Sequence, residues 1–240
     1  MNSVCVATYN GERYIEQQLR SILEQIRPDD EVIVSDDGST DATLDIIRSL
    51  NDSRISIFTH NGHNYKDNFE NALRHAKGEI IFLADQDDVW LPGKYDGCIE
   101  ALKRVDLVCT DCSLTDKELH ILVPSYFAQQ HSGAGILKNI LLDTYCGACM
   151  AFRRKLLDDA LPFPPTNELG HDLWLGIVAE MTGKVLFIDT PYMLYRRHDH
   201  CVTQQNASIL RRSKRPFWHK VWSRGVMLYY VCKFRITHGK

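Results

Sequence analysis

Three short polar clusters in the first half of the chain carry the side chains best suited to chemistry. They read Thr8-Tyr9-Asn10, Asp36-Asp37-Gly38-Ser39 and Asp85-Gln86-Asp87-Asp88. Asp85 and Asp87 can offer hard oxygen ligands to Mg²⁺ or Mn²⁺, ions that keep open positions for phosphate oxygens. Asp36 and Asp37 can accept hydrogen bonds from the base and ribose of a nucleotide, and Tyr9 can stack on the base. Each cluster alone also fits a simple turn, because Asp, Asn, Ser and Gly favour turns for local reasons.

A predicted strand precedes each of these clusters. Apolar runs predict strands at Val4–Thr8, Glu31–Ser35, Arg54–Phe58 and Glu79–Ala84, and apolar residues at helical spacing recur between them. This alternation favours an α/β fold with a mainly parallel sheet and helices on both faces. Because ligands of such sheets bind where the carboxyl ends of the strands emerge, we expect the three clusters to share one edge.

The second half of the chain has a less regular pattern. Its predicted elements are a helix at Pro92–Val105, strands at Asp106–Cys112 and Tyr145–Arg153, a helix at Gly170–Thr182 and a strand at Val185–Asp189. A loop is predicted over residues 113–135. In the first half, Ser39 or Thr40 is the predicted N-cap of one helix. Asp67 and Glu70 resemble a capping box at the start of another.

The length and composition fit a single soluble globular domain. At 240 residues the chain can bury one large core, and we expect a domain over residues 1–207 and a helical extension over 208–240. No apolar run approaches the roughly 20 residues that span a bilayer, and the N-terminus lacks a signal-peptide pattern. These features predict a cytoplasmic location.

Residues 211–240 differ from the rest of the chain in charge. They hold nine Lys and Arg and no Asp or Glu, whereas the remaining 19 basic residues stand against 31 acidic ones. An acidic body needs a cation to hold a phosphorylated ligand, and a basic tail can meet an anionic surface. Aromatic residues lie among the tail's cations, which suits peripheral attachment to a membrane. A packed helix or a homodimer contact is the alternative, and the acidic body argues against nucleic-acid binding.

Two Cys-x-x-Cys pairs raise the question of a zinc site. Cys109 with Cys112 and Cys146 with Cys149 have the ligand spacing of a four-thiolate centre. Cys109, however, lies in a predicted strand, where side chains three residues apart point to opposite faces. Buried, reduced thiols are therefore favoured over a structural zinc ion.

Several longer stretches resemble the family 2 glycosyltransferases, which are inverting enzymes with the GT-A fold. The matching segments are VATYNGERYIEQQLRSILEQ, VIVSDDGSTDATLDII, NGHNYKDNFENALRHAKGEIIFLADQDDVWLPGKY, GACMAFRRKL, GHDLWL and VLFIDTPYMLYRRH. The form ADQDDVWLPGKY, with HDLW later, is most similar to bacterial enzymes that build surface polysaccharides, including rhamnosyltransferases. The resemblance implies a nucleotide-binding half over residues 1–112 and an acceptor-binding half over 113–207.

The resemblance also implies roles for individual residues. Asp172 matches the carboxylate that serves as general base, and His171 precedes it where many relatives have Glu. Asp85 and Asp87 match the family's Asp-x-Asp motif, with Asp87 as the direct ligand of Mg²⁺ or Mn²⁺ and Asp85 beside the ribose or phosphate. His198 is a further candidate for a metal or pyrophosphate contact. The residues expected to bind the nucleotide sugar are Thr8, Tyr9, Asn10, Glu12, Asp36, Asp37, Lys66, Asn68, Asp85 and Gln86.

The implied reaction moves a sugar from a UDP- or dTDP-sugar donor to a hydroxyl of a glycan or polyprenyl-linked acceptor. Asp172 would take the hydroxyl proton, and the metal would neutralise charge on the leaving diphosphate. One alternative is a sugar nucleotidyltransferase, although the Gly-rich loop typical of that class is absent after the first strand. Another is a catalytically inactive binding protein on the same fold. Asp172 could also serve only as a helix N-cap.

Overall fold

One mixed sheet organises the computed structural model, which describes residues 1–198 and 216–238. Its strands within these ranges are β1 Ser3–Thr8, β2 Glu31–Asp36, β3 Ile55–Thr59, β4 Ile80–Asp85, β5 Val89–Trp90, β6 Leu107–Thr115, β7 Ile121–Val123, β8 Met150–Arg153 and β9 Val185–Arg196. The helices are α1 Ile15–Leu23, α2 Thr43–Ser49, α3 Tyr65–His75, α4 Lys94–Ala101, α5 Tyr126–Gln130, α6 Ile136–Leu142, α7 Leu156–Ala160, α8 His171–Thr182 and α9 Phe217–His238. A 3₁₀ turn covers Gly147–Cys149.

The first four strands form the parallel part of the sheet, in the order β3-β2-β1-β4. The apolar side chains of β1, β2 and β4 are mostly buried, as expected for strands covered by helices on either side, whereas those of the edge strand β3 are only partly buried. In register, Thr8 pairs with Asp36 and Ala7 pairs with Asp85. The carboxyl ends of β1, β2 and β4 therefore lie side by side, which confirms the predicted common edge.

The second part of the sheet adds antiparallel pairs, so the whole sheet is mixed. β8 runs antiparallel to both β4 and β6, while β9 is parallel to β6 and antiparallel to β5. The predicted loop over 113–135 was wrong in part, because β7 and α5 lie within it. The strand predicted from Tyr145 begins only at Met150, after the 3₁₀ turn. These elements are short and depend on pairing with distant residues, which local periodicity does not reveal.

Two predicted helix starts were wrong. α2 begins at Thr43, and the Ser39 side chain hydrogen-bonds to Asp36 instead of capping that helix. α3 begins before Asp67, because the Asn64 side chain caps it by accepting a hydrogen bond from a backbone N–H in the first turn. The carboxylate of Glu70 instead accepts a hydrogen bond from the backbone N–H of Phe163, 2.8 Å away.

Helix α9 confirms the predicted helical character of the tail over Phe217–His238. Its Met227, Val231 and Phe234 are buried, and the Phe234 ring meets Trp174 of α8 edge to face at 5.8 Å. The helix therefore packs on the domain along one face. The predicted boundary at 207 and the basic residues from Arg211 to Arg215 lie outside the described residues. No helix in the part of the chain that the structure describes is long and apolar enough to cross a membrane.

Candidate active site

The three polar clusters meet at the carboxyl edge of β1, β2 and β4. The hydroxyl of Thr8 donates a hydrogen bond to Asp36 Oδ1 at 2.9 Å. Gln86 makes two hydrogen bonds to the backbone of Tyr9, accepting from its N–H at 2.8 Å and donating to its carbonyl at 3.0 Å. A Cβ at Gly11 would collide with the Gln86 amide, so glycine allows this close approach. The clusters are thus joined directly through side chains.

Asp36 uses its carboxylate inside the protein. It is fully buried, and its two oxygens accept hydrogen bonds from Thr8, from the Ser39 hydroxyl at 2.6 Å and from the Ser39 N–H at 2.8 Å. These contacts fix the turn after β2. In this arrangement Asp36 shapes the edge of the site rather than presenting a free acceptor to a nucleotide.

Asp37 is placed differently, with one oxygen free to accept. Its Oδ1 accepts hydrogen bonds from the N–H groups of Gly62 and His63 at 2.9 and 3.0 Å. Among the described residues, nothing donates to Oδ2. The ring of Tyr9 is 49% exposed nearby, with its centroid 6.2 Å from that of His63. An acceptor oxygen beside an exposed aromatic ring can recognise a base that carries an imide N–H.

Asn10 and Glu12 hold the segment before α2. Asn10 Oδ1 accepts a hydrogen bond from the Thr40 N–H at 2.9 Å, and Glu12 Oε2 accepts from the Ala42 N–H at 2.9 Å. Asn10 also has a positive φ of 48°, a conformation that Asn tolerates better than most residues. Both side chains therefore connect the loop after β1 to the loop after β2.

Lys66 and Asn68 of α3 are buried and bind backbone groups. The Lys66 ammonium donates to the carbonyls of Pro164 and Thr166 at 2.7 and 2.6 Å, and burial lowers its pKa. Asn68 donates to the Thr8 carbonyl at 3.2 Å and accepts from a buried serine hydroxyl of β2. Lys66 ties α3 to the segment that contains Pro164 and Thr166, and Asn68 supports the end of β1.

The carboxylates of the acidic cluster after β4 lie close enough together to raise the pKa values of Asp85 and Asp88. Loss of hydration, and then the charges of Asp87, Cys146 and Asp172, raise the pKa of Asp85 well above its usual value. Burial and the neighbouring carboxylates likewise raise the pKa of Asp88. Among the described residues, no group donates to the Asp85 carboxylate. Excess negative charge of this kind is what a bound cation relieves.

The donor atoms at this edge fit a divalent metal. Asp87 Oδ2 lies 2.7 Å from His198 Nε2, and the Asp87 carbonyl accepts from Arg196 at 2.8 Å. Carboxylate oxygens with one imidazole are ligands that Mg²⁺ and Mn²⁺ accept. Within the described residues, however, Asp85, Asp87 and His198 do not form a preassembled three-ligand cluster. Additional ligands, such as phosphate oxygens, would be needed to complete the coordination.

Asp172 lies in the first turn of α8 with one oxygen uncommitted. The N-cap of this helix is Gly170, so the alternative in which Asp172 is only the N-cap is wrong. Its Oδ1 accepts a hydrogen bond from the Leu173 N–H at 2.8 Å, and Oδ2 has no donor among the described residues. The charge of Asp172 is one of the causes of the raised pKa of Asp85, so the two carboxylates are near enough to interact electrostatically.

Gln17 and Gln18, and the contacts that Arg196 and His171 make, were missed by sequence reasoning. Gln18 of α1 donates to the Asp85 carbonyl at 2.7 Å, and Arg196 reaches Gln17 as well as Asp87. His171 is buried against the Phe69 ring at 4.2 Å, with neither ring nitrogen hydrogen-bonded among the described residues. These residues are far apart in sequence, so no local pattern marks them.

Fold and site together define the class of protein. The sheet has a parallel part, with acidic residues at the carboxyl ends of its strands, and a mixed part followed by the helix that carries Asp172. This is the GT-A architecture of nucleotide-sugar transferases. The chain belongs to glycosyl transferase family 2, because the model of that family matches residues 3–161.

Similar proteins include several bacterial glycosyltransferases. The chain is 29% identical to the dTDP-rhamnosyl transferase RfbG of Shigella flexneri, covering 88% of this chain and 77% of that protein. It is 28% identical to the GalNAc(5)-diNAcBac-PP-undecaprenol beta-1,3-glucosyltransferase of Campylobacter jejuni, covering 90% and 69%. It is also 26% identical to an uncharacterized glycosyltransferase of Nostoc sp., covering 82% of this chain but only 64% of that protein.

Solved structures share the fold. Crystalline S. aureus TarS 1-349 in complex with UDP-GlcNAc matches with a TM-score of 0.70 at 22% identity, covering 95% of this chain and 66% of that one. The mannosyltransferase PcManGT of Pyrobaculum calidifontis, in complex with GDP-Man and Mn²⁺, matches with a TM-score of 0.60 at 24% identity, covering 100% and 65%. The chain therefore spans about two thirds of these structures.

Proposed function

We propose that this protein is an inverting, metal-dependent glycosyltransferase of bacterial surface-polysaccharide synthesis. It moves a sugar from a UDP- or dTDP-linked donor to a hydroxyl of a glycan or polyprenyl-linked acceptor. The observation that carries the proposal is the junction of three sequence clusters at one sheet edge, through the Thr8–Asp36 and Gln86–Tyr9 hydrogen bonds. Asp172 adds a carboxylate whose charge reaches Asp85.

The nucleotide half recognises the donor through Asp37 and Tyr9. Asp37 Oδ2 accepts the imide N–H that uracil and thymine share, and the exposed Tyr9 ring stacks on the base. Asp36, Asn10 and Glu12 keep the supporting loops in place through their backbone contacts. A base without an imide N–H leaves the Asp37 oxygen unpaired, which costs affinity.

Asp87, Asp85 and His198 are the residues that would hold Mg²⁺ or Mn²⁺. When bound, the cation offsets the negative charge that develops on the leaving diphosphate. His198 lies against the Tyr14 ring, whose centroid is 4.8 Å from its own, and Arg196 fixes the Asp87 backbone. The chain thus orients its ligating groups through contacts with α1 and β9.

Asp172 acts as the general base in a single displacement. The acceptor hydroxyl oxygen forms a bond to the anomeric carbon while its proton passes to Asp172 Oδ2. The bond between that carbon and the diphosphate oxygen breaks, and the electron pair leaves with the nucleoside diphosphate. Because attack and departure occur on opposite faces of the sugar, one displacement inverts the configuration.

The nature of donor and acceptor is supported by relatives. The Shigella relative is a dTDP-rhamnosyl transferase, and the Campylobacter relative is a glucosyltransferase whose name gives GalNAc(5)-diNAcBac-PP-undecaprenol as its acceptor. The alignments with these proteins cover most of the present chain, including both halves of the domain. A lipid-linked acceptor also requires the enzyme to work next to a membrane.

One face of the molecule suits such a membrane contact. In α9, Trp218 and Trp222 are 78% and 66% exposed, and in α6 Leu137 and Leu141 are 71% and 63% exposed. The Leu141 carbonyl accepts a hydrogen bond from Arg224, so the two helices are neighbours. The stretch Phe217–His238 contains no acidic residue. Exposed aromatic and aliphatic side chains among cations favour an anionic bilayer surface.

The decisive experiment compares Asp172→Asn with a matched control, Asp158→Asn, at an exposed acid of α7. Both variants are assayed with a panel of UDP- and dTDP-sugars, a lipid-linked acceptor and Mn²⁺, and the anomeric configuration of the product is read by NMR. Asp172→Asn should lose transfer by about 10²-fold or more while still binding nucleotide, because general-base catalysis contributes that much. Asp158→Asn should keep its activity. Near-normal turnover of Asp172→Asn, or a product of retained configuration, would contradict the proposal.

A further inference from the structure

Three thiols converge beside the acidic edge. The sulfur atoms of Cys112, Cys146 and Cys149 all lie within 4.8 Å of one another. Cys112 and Cys149 are buried, Cys146 is partly buried, and all three are free thiols. Nothing in the proposed transfer reaction uses them.

The backbone explains why these three thiols meet. Side chains three residues apart eclipse in a 3₁₀ turn, so the turn after Cys146 brings Cys146 and Cys149 to the same side. β6 pairs antiparallel with β8 through Cys109 and Met150, so Cys112 lies farther along β6, beside the turn. Cys109 is outside the group of three sulfurs, as expected because side chains three residues apart in a strand, such as those of Cys109 and Cys112, point to opposite faces. This geometry excludes a four-thiolate centre but places no restriction on Cys112, Cys146 and Cys149.

We infer that Cys112, Cys146 and Cys149 form a binding site for a thiophilic divalent cation, with Zn²⁺ as the expected ion. Zn–S bonds of about 2.3 Å at tetrahedral angles separate the sulfurs by about 3.8 Å, so small side-chain adjustments suffice. Binding replaces the thiol protons, which are released to solvent. A water molecule can supply the fourth ligand of a tetrahedral ion.

This site and the acidic edge differ in the metals that they select. Three sulfur ligands are soft and favour Zn²⁺ over Mg²⁺ or Mn²⁺, whereas the carboxylates of Asp85 and Asp87 are hard and favour the latter ions. The two sites can therefore be loaded and measured separately. The inference does not depend on the proposed transfer reaction.

The position of the turn gives the metal a structural consequence. A Cβ at Gly147 would lie 2.7 Å from His171 Nε2, so the turn packs directly against the start of α8. The next carbonyl, of Ala148, accepts a hydrogen bond from the buried Lys94 ammonium at 2.6 Å. A cation that joins the turn to β6 would hold the surface on which His171 and Asp172 rest.

The test uses the full chain, reduced with a phosphine, stripped with chelator and kept in excess Mg²⁺ to occupy hard-ligand sites. Zn²⁺ is titrated against a chromophoric chelator, and Cd²⁺ binding is followed by its thiolate charge-transfer absorption. One tight equivalent with that absorption is expected. Cys112→Ser and Cys149→Ser should weaken Zn²⁺ binding by more than about 100-fold, beyond what loss of an outer-sphere partner costs. The matched control Cys98→Ser, also buried, should bind as the wild type does.

A measurement on the wild type keeps the test decisive if the serine variants do not fold. Alkylation of native protein followed by mass spectrometry should show that Zn²⁺ protects Cys146 but not the exposed Cys232. Absence of the charge-transfer absorption, or equal alkylation of Cys146 with and without Zn²⁺, would overturn the inference. Zn²⁺ affinity that survives all the cysteine replacements would assign the ion elsewhere, for example to the exposed cluster of Asp116, Glu118 and His120, and would overturn it too.

Discussion

Asp36 and Asp37 are adjacent in sequence, yet the structure gives them different tasks that mutation can separate. Asp36→Ala removes the acceptor of three hydrogen bonds, from the Thr8 hydroxyl and from the Ser39 hydroxyl and N–H. The Thr8 hydroxyl has a second acceptor, the Ser35 carbonyl at 3.4 Å, and so loses least. The two Ser39 donors lose a charged, buried acceptor.

The expected cost follows from these contacts. A hydrogen bond to a charged group contributes about 1.5 kcal/mol or more, so the two Ser39 bonds together amount to about 3 kcal/mol. For a domain of this size that corresponds to a fall in Tm of about 6–12 °C. Asp36→Asn should cost less, because its amide can be turned to accept from the N–H and donate to a hydroxyl.

Asp37→Asn is the matched comparison. The asparagine carbonyl can keep the contacts with Gly62 and His63, while its amide puts a donor where Asp37 Oδ2 had an acceptor. The free energy of unfolding should change little. Affinity for UDP or dTDP should fall, because the new side-chain amide N–H would face the imide N–H of the base, and two donors cannot hydrogen-bond to each other. Thermal unfolding by circular dichroism and nucleotide binding by calorimetry measure both effects. If Asp36→Ala abolished nucleotide binding with a Tm within 2 °C or so of wild type, the assignment of Asp36 to structure would be wrong.

Three further predictions concern neighbouring features. In the presence of chelator, Asp88→Asn should raise the free energy of unfolding in urea at neutral pH and change it little near pH 4. The reason is that the pKa of Asp88 is higher in the folded than in the unfolded protein, so the ionised carboxylate destabilises the fold only as pH rises above the unfolded-state pKa. Gln86→Ala should cost about 1 kcal/mol in urea stability and weaken nucleotide binding, since it removes the amide that joins the loops. Trp222→Ser should lower the affinity for anionic liposomes roughly tenfold, because one large apolar side chain would no longer be buried in the bilayer surface. The control Ile121→Ser, at an exposed apolar residue of β7, should leave that affinity unchanged.

The parallel half of the fold could be predicted because its signals are local. The centres of β1, β2 and β4 are apolar, and polar residues follow at the carboxyl end of each strand. β7, α5 and the 3₁₀ turn at Gly147–Cys149 escaped prediction because they are short and fixed by distant partners. β9 was predicted too short for the same reason, since its end is held by pairing with β5 and β6.

Much the same division applies to the site. Its location was predictable, because the residues that follow parallel strands must share an edge. The hydrogen-bond partners of each side chain could not be predicted, because they depend on residues that are distant in sequence. Lys66 is expected from the sequence to bind the nucleotide sugar, yet its ammonium donates to two backbone carbonyls about a hundred residues away. Asp67 looks like a helix cap, but Asn64 takes that place.

Under the proposed function, the electrostatics of the acidic edge predict that cation and donor bind together. Asp85 and Asp88 already carry raised pKa values, so an anionic diphosphate alone would meet further repulsion there. A cation alone finds an incomplete set of ligands, because Asp85, Asp87 and His198 are not preassembled. Each ligand therefore supplies what the other lacks: the cation offsets the carboxylate charge, and the diphosphate completes the coordination. Since coupling between two ligands is reciprocal, the factor by which the cation tightens donor binding must equal the factor by which the donor tightens cation binding.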